Sequence, residues 1–189
     1  MADRYWVGGA GTWSNTSTTN WSATSGGASG ATAPTTADNI FFDANSGATP
    51  FTVTVSATTP ANCQNMTVSV GNITFGTGAG SQTVTINGNL DLHSQTTWSA
   101  TSQVLLRTTG TQTTQINSNG VLINGQVTFF ANGSGTINLA SNLAVVNSQN
   151  IRLISNGGGI EGNGFWMTTA ANLTSDGTVA TTINNLRAN

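Results

Sequence analysis

The chain has no lysine, and its 189 residues hold only four arginines, six carboxylates and one histidine. Charged residues make up 5%, against about 25% in an ordinary soluble domain. Basic runs are absent, which excludes the electrostatic footprint of a protein that binds nucleic acid or an anionic membrane. Cys63 is the single cysteine. It allows no intrachain disulfide and no multi-cysteine metal site, and its expected role is that of a small buried hydrophobe. No apolar stretch approaches the ~18 residues of a membrane-spanning helix. The opening Met-Ala-Asp-Arg-Tyr-Trp has no apolar h-region, so no secretory signal is expected. Helix formers are scarce, with one glutamate and no apolar stripe at 3.6-residue spacing, and little or no helix is expected.

Thr, Ser, Asn and Gly fill the space between short β-branched runs. Phe51-Thr-Val-Thr-Val55 alternates cleanly, and Met66-Thr-Val68, Thr83-Val-Thr-Ile86, Val127-Thr-Phe-Phe130, Ile151-Arg-Leu-Ile154 and Thr182-Ile183 read the same way. Period-two alternation bounded by Gly and Asn predicts strands. All three prolines (Pro34, Pro50, Pro60) and three of the five tryptophans lie in the first third of the chain. That shift divides the chain into a Trp/Gly/Thr-rich capping or anchoring module over residues 1–50 and a β-solenoid-like region over 51–189.

A repeat supports the solenoid. Ile86-Asn-Gly-Asn-Leu-Asp-Leu92 matches Ile123-Asn-Gly-Gln-Val-Thr-Phe129, with looser echoes at Ile137 and Ile160. Val68, Ile86, Val104 and Ile123 follow one another at an almost constant interval, and that interval is a suitable length for one coil. The fold expected is therefore all-β: a β-solenoid (β-helix) of short coils, about seven of them at ~4.8 Å each, behind an N-terminal cap. A β-sandwich, whose strands recur every 8–12 residues, is the alternative.

Groups for chemistry are few. A catalytic triad would have to use His93, the only imidazole, and Asp91 lies too close along one strand to orient it. A Cys63–His93 pair is formally available. The carboxylates Asp38, Asp43, Asp91, Glu161 and Asp176 are candidates for a glycosidase pair, and turn or capping duty is their simpler reading. No metal-ligand spacing and no phosphate-binding loop is present, and no cofactor is expected. Thr-x-Thr pairs occur at Thr52/Thr54 and Thr83/Thr85 without recurring at each coil. The aromatic cluster Tyr5, Trp6, Trp13 and Trp21 is the stronger signal. It reads as a capping core, as a subunit interface, or as a platform for stacking on sugars. An open solenoid end needs cover because its unpaired strand edges invite aggregation.

The stretches Arg4-Tyr-Trp-Val-Gly-Gly-Ala-Gly-Thr-Trp13, Thr19-Asn-Trp-Ser22, Gly26-Gly-Ala-Ser-Gly30 and Pro34-Thr-Thr-Ala-Asp-Asn-Ile-Phe-Phe-Asp43 resemble a module of phage virion proteins and bacterial surface β-helix proteins. The resemblance covers about the first quarter of the chain. It implies a part carried on a virion surface, assembled in the host cytoplasm, as a homo-oligomer (a trimer) in contact with other virion proteins such as the major capsid protein. The function expected is a non-enzymatic capsid decoration or head-fibre protein. A tail fibre or adhesin that binds host-surface glycans is the alternative, and a polysaccharide-degrading tailspike a minor one. No catalytic residue carries over. With so few charges, assembly is expected to be largely insensitive to salt.

Overall fold

The computed structural model describes residues 1–77, 82–169, 171–176, 181–182 and 186–188. The described strands follow one another coil by coil. The chain begins with β1 (Asp3–Trp6), β2 (Gly11–Trp13) and β3 (Trp21–Ser22). Six complete coils of three strands come next. They are β4 (Asn39–Phe42), β5 (Phe51–Val55) and β6 (Ala61–Cys63); β7 (Met66–Val68), β8 (Ile73–Thr77) and β9 (Val84–Ile86); and β10 (Leu90–Asp91), β11 (Thr97–Trp98) and β12 (Val104–Thr108). Then come β13 (Thr113–Asn117), β14 (Leu122–Ile123) and β15 (Val127–Asn132); β16 (Thr136–Leu139), β17 (Leu143–Val145) and β18 (Ile151–Asn156); and β19 (Gly159–Glu161), β20 (Met167–Thr169) and β21 (Leu173–Asp176). Last are β22 (Thr181–Thr182) and β23 (Leu186–Ala188). The expected strand at Thr182-Ile183 lies partly outside the described residues.

Each strand pairs in parallel with the strand three places on, which produces three sheets. Sheet A runs β1-β4-β7-β10-β13-β16-β19-β22, sheet B runs β2-β5-β8-β11-β14-β17-β20-β23, and sheet C runs β6-β9-β12-β15-β18-β21. This is the expected all-β solenoid, with three faces. The parallel pairing rules out the sandwich, whose sheets are antiparallel. Within residues 1–50, β1 and β4 extend sheet A and β2 extends sheet B. Only β3 departs from the rule: it lies antiparallel to β1 across the terminal edge of sheet A, with Tyr5 opposite Ser22 and Trp6 opposite Trp21.

The coil is longer than the interval from Val68 to Ile86 that was expected to measure it. Met66 pairs with Leu90 and Leu90 with Ile116, while the shorter step from Val84 to Val104 holds on sheet C. Val68 lies on sheet A, Ile86 and Val104 on sheet C, and Ile123 on sheet B. The repeated Ile-Asn-Gly unit marks a type of corner rather than a whole coil: it turns from sheet C to A after Ile86 and from sheet B to C after Ile123. The glycine is needed at both corners because the bend presses on the coil before. A Cβ on Gly88 would sit 2.9 Å from the Gln64 carbonyl oxygen, and one on Gly125 would overlap the Ser102 carbonyl oxygen.

The core is built of columns. Ile40, Met66, Leu90, Ile116 and Leu139 stack inward from sheet A. Val53, Phe75, Trp98, Ile123 and Val145 do so from sheet B, and Val84, Val104, Val127 and Ile151 from sheet C. All of them are buried, and each such side chain contributes about 1.5–3 kcal/mol.

Two glycine substitutions separate corner crowding from strand propensity. Gly125→Ala is expected to destabilise the fold by about 3 kcal/mol, because backbone cannot yield there. At Gly76, on the outside of β8, a Cβ would stand 3.5 Å from Thr52 Cγ2 and 3.7 Å from Ser99 Oγ. Gly76→Ala is therefore expected to be neutral or to stabilise by about 0.5 kcal/mol. Denaturant unfolding of both variants checks the contrast.

Candidate functional site

Three of the four aromatic candidates are core. Trp6, Trp13 and Trp21 are completely buried. Trp6 and Trp21 meet edge to face at 5.0 Å, and Phe42, Phe75 and Trp98 continue the cluster down the interior at 5.0 Å intervals. Trp6 Nε1 donates to the Gly9 carbonyl at 2.6 Å. No face of these three rings is open to a sugar, so the platform reading fails for them. Alternation along β1 turns only Tyr5 outward, and it is partly exposed. Its ring stacks on that of Phe41 at 4.9 Å and 19°, so one of its faces is already covered.

The end of the stack is closed by polar groups as well. Arg4 continues the inward column of Ile40 and donates from Nε to the Thr32 carbonyl at 3.0 Å and from Nη2 to Thr32 Oγ1 at 2.8 Å. Asp38 Oδ1 accepts the Ala2 amide at 2.9 Å, and Oδ2 accepts the Thr35 hydroxyl at 2.8 Å and the Thr35 amide at 3.1 Å. Burial pushes the Asp38 carboxyl up, but the Thr35 and Ala2 hydrogen bonds and nearby Arg4 together hold it below the usual carboxylate range.

The catalytic candidates do not converge. Cys63 points into the core from sheet C, where burial raises its thiol pKa far out of the reactive range. His93 stands at the corner after sheet A, and its Nδ1 accepts the Gln95 amide at 3.1 Å. Asp43 Oδ1 accepts the Asn45 amide at 2.9 Å, a turn role. Asp91 accepts from Asn117 Nδ2 at 2.9 Å on the outside of sheet A, and Asp176 pairs with Arg152 on sheet C. Glu161 lies on β19, three coils beyond Asp91. Among the described residues no group of three or more His, Cys, Asp or Glu is placed to hold a metal ion.

The outer faces carry what sequence reasoning missed. On sheet A an amide ladder climbs from coil to coil. Asn39 Nδ2 donates to Asp3 Oδ1 at 2.8 Å, and Asn65 Nδ2 to Asn39 Oδ1 at 2.7 Å. Asn65 Oδ1 then accepts the Asn89 amide at 2.7 Å, and Asn89 Oδ1 the Gln115 amide at 2.8 Å. At the next corner Asn119, with φ of 49°, donates from Nδ2 to the Leu92 carbonyl of the coil below at 2.7 Å.

Sheet B is different. Its strands β2, β5, β8, β11, β14, β17 and β20 contain no ionisable residue, and a charge enters the sheet only at its last strand, β23, with Arg187 in register with Thr168. Thr52, Thr74 and Thr97 form one outward column, which the Thr-x-Thr pairs hinted at only for β5. The column gives way to Leu122, which is 55% exposed. Around Leu122 lies a cleft of about 400 Å³ walled by Thr97, Ser99, Asn124, Val146 and Asn147. A second, of about 270 Å³, lies against Ala144, Trp166 and Thr168. The two lie along one uncharged strip of this face that mixes polar and apolar groups.

No family model, curated protein or solved structure matches this chain.

Asp38 gives the site a pH signature. A carboxyl held low in the folded state adds stability above its unfolded pKa of about 3.9 and loses it as pH falls through the folded value. Asp38→Ala is expected to be less stable than the parent by about 1–2 kcal/mol at pH 7, with the difference shrinking below about pH 4. Thermal unfolding of both proteins across pH 2–7 checks it.

Proposed function

We propose that the chain is a non-enzymatic structural part of a phage virion, a capsid decoration or head-fibre protein whose sheet B lies against the particle. The observation that carries this reading is the absence of any ionisable side chain from seven successive strands of that sheet, together with Leu122 exposed at its centre. A face of hydroxyls, amides and a few apolar groups buries without stranding charge. It also docks without electrostatic steering, so attachment depends little on ionic strength. Binding of this kind stabilises a shell by adding contacts between its subunits. The N-terminal resemblance points the same way. Tail-fibre binding to glycans remains the second reading, supported by the partly exposed Tyr5.

The test uses virus particles that lack the protein, to which it is added back and imaged by electron microscopy. Regular density over the head, retained in about 0.5 M salt, is the expected result. Leu122→Asp places a charge in the uncharged strip and is expected to cut occupancy about tenfold while leaving the fold intact. Density at the tail tip, or release by moderate salt, would overturn the head assignment.

A further inference from the structure

The outer face of sheet C carries a pattern that only the register reveals. Arg107 pairs with Phe130, Phe130 with Ile154, and Ile154 with Asp176, so these four form one outward column across β12, β15, β18 and β21. The neighbouring outward column runs Leu105, Thr128, Arg152, Thr174. Read upward, the first column is cation, aromatic, aliphatic, anion. Read downward it is its own complement. Both charged ends have capacity to spare. The Arg107 guanidinium stands 5.4 Å from the centre of the Phe130 ring, and its Nε is buried with no acceptor among the described residues. A buried donor on a charged group left in that state is costly. Arg152 donates from Nε and Nη2 to Asp176 Oδ2, leaving Oδ1 to solvent on a side chain that is half exposed.

We propose that this face joins two copies of the chain, antiparallel, about a two-fold axis that runs along the strands between β15 and β18. Such a rotation lays each column on its own counterpart in reverse order. Arg107 then faces Asp176 of the second copy, Phe130 faces Ile154, and symmetry supplies each contact twice. Asp176 is shared between Arg152 of its own chain and Arg107 of the other. The other packings serve this face worse. A two-fold along the stacking direction sets Arg107 against Leu105 and Arg152 against Ile154, burying cations without anions. A three-fold around this face gathers three copies of Arg107 at one height. The oligomer inferred is thus two-fold, unlike the trimer that the resemblance implies. The four strands span roughly 20 Å by 15 Å, a small patch beside a standard interface of about 800 Å² per partner, so the dimer dissociates on dilution.

Sedimentation equilibrium from about 10 μM to about 1 mM tests it, with circular dichroism to confirm that each variant folds. The parent is expected to pass from monomer to dimer. Arg107→Glu and Asp176→Lys are each expected to weaken the dimer about tenfold or more, because each sets like charges face to face. An equimolar mixture of the two variants is expected to dimerise, since the mixed dimer has an opposite charge at both ends. Arg107 and Asp176 of one chain lie three coils apart, about 14 Å, so no contact within a copy explains such rescue. A monomer at every concentration, a trimer, or a mixture that fails to recover would overturn the proposal.

Discussion

Every feature of this molecule answers to the hydrogen bonding of one coil onto the next. A strand on any face pairs in parallel with the strand one coil below and the strand one coil above, at ~4.8 Å. The register is therefore inherited from coil to coil, and each side chain stands directly over another. For apolar residues this gives the continuous inward columns. For charged residues it is a penalty, because like charges repeated at that spacing repel all along the rod. The chain meets the constraint with amides and hydroxyls, which donate to one neighbour and accept from the other. Asn39 and Asn65 do so on sheet A, and Asn89 continues the ladder by donating its backbone N–H to Asn65 and accepting on Oδ1 from the Gln115 backbone. The few charges are placed so that none repeats in its column: Asp91 lies between Thr67 and Asn117, Glu161 next to Asn138, and Arg152 between Thr128 and Thr174.

A stack that grows by repetition has no intrinsic end. The N-terminal residues stop it by breaking the rule. Strand β3 runs antiparallel across the edge of sheet A, three tryptophans fill the space above the last core layer, and Arg4 and Asp38 tie the loops down. The cover lies at this end, over the edge of sheet A, and the flanks remain open along the stack. The flanks are chemically distinct. Sheet A is an amide ladder, sheet B is uncharged from β2 to β20 with a leucine at its centre, and sheet C joins two arginines to aromatic and aliphatic side chains.

Much of this was legible in the sequence. Alternating runs such as Phe51-Thr-Val-Thr-Val55 announced strands, and the Gly and Asn punctuation announced corners. The coil length was not legible, because Ile-Asn-Gly serves two different corners, so the interval from Ile86 to Ile123 is not a whole number of coils. In Arg4-Tyr-Trp, alternation separates Tyr5 from its neighbours, but which parity faces inward depends on the pairing of β1 with β4, far along the chain. The column from Arg107 to Asp176 was invisible for the same reason. Its members are distant in sequence, and only the register of four strands aligns them.

Amide hydrogen exchange, followed residue by residue, tests the stacking account most directly. If coils are held by their neighbours, the strands from β7 to β18 exchange only through the largest opening, and protection falls in steps toward the C-terminal coils. The capped N-terminal coils hold nearly the protection of the middle. Fast exchange through the central coils, or protection confined to residues 1–50, would contradict it.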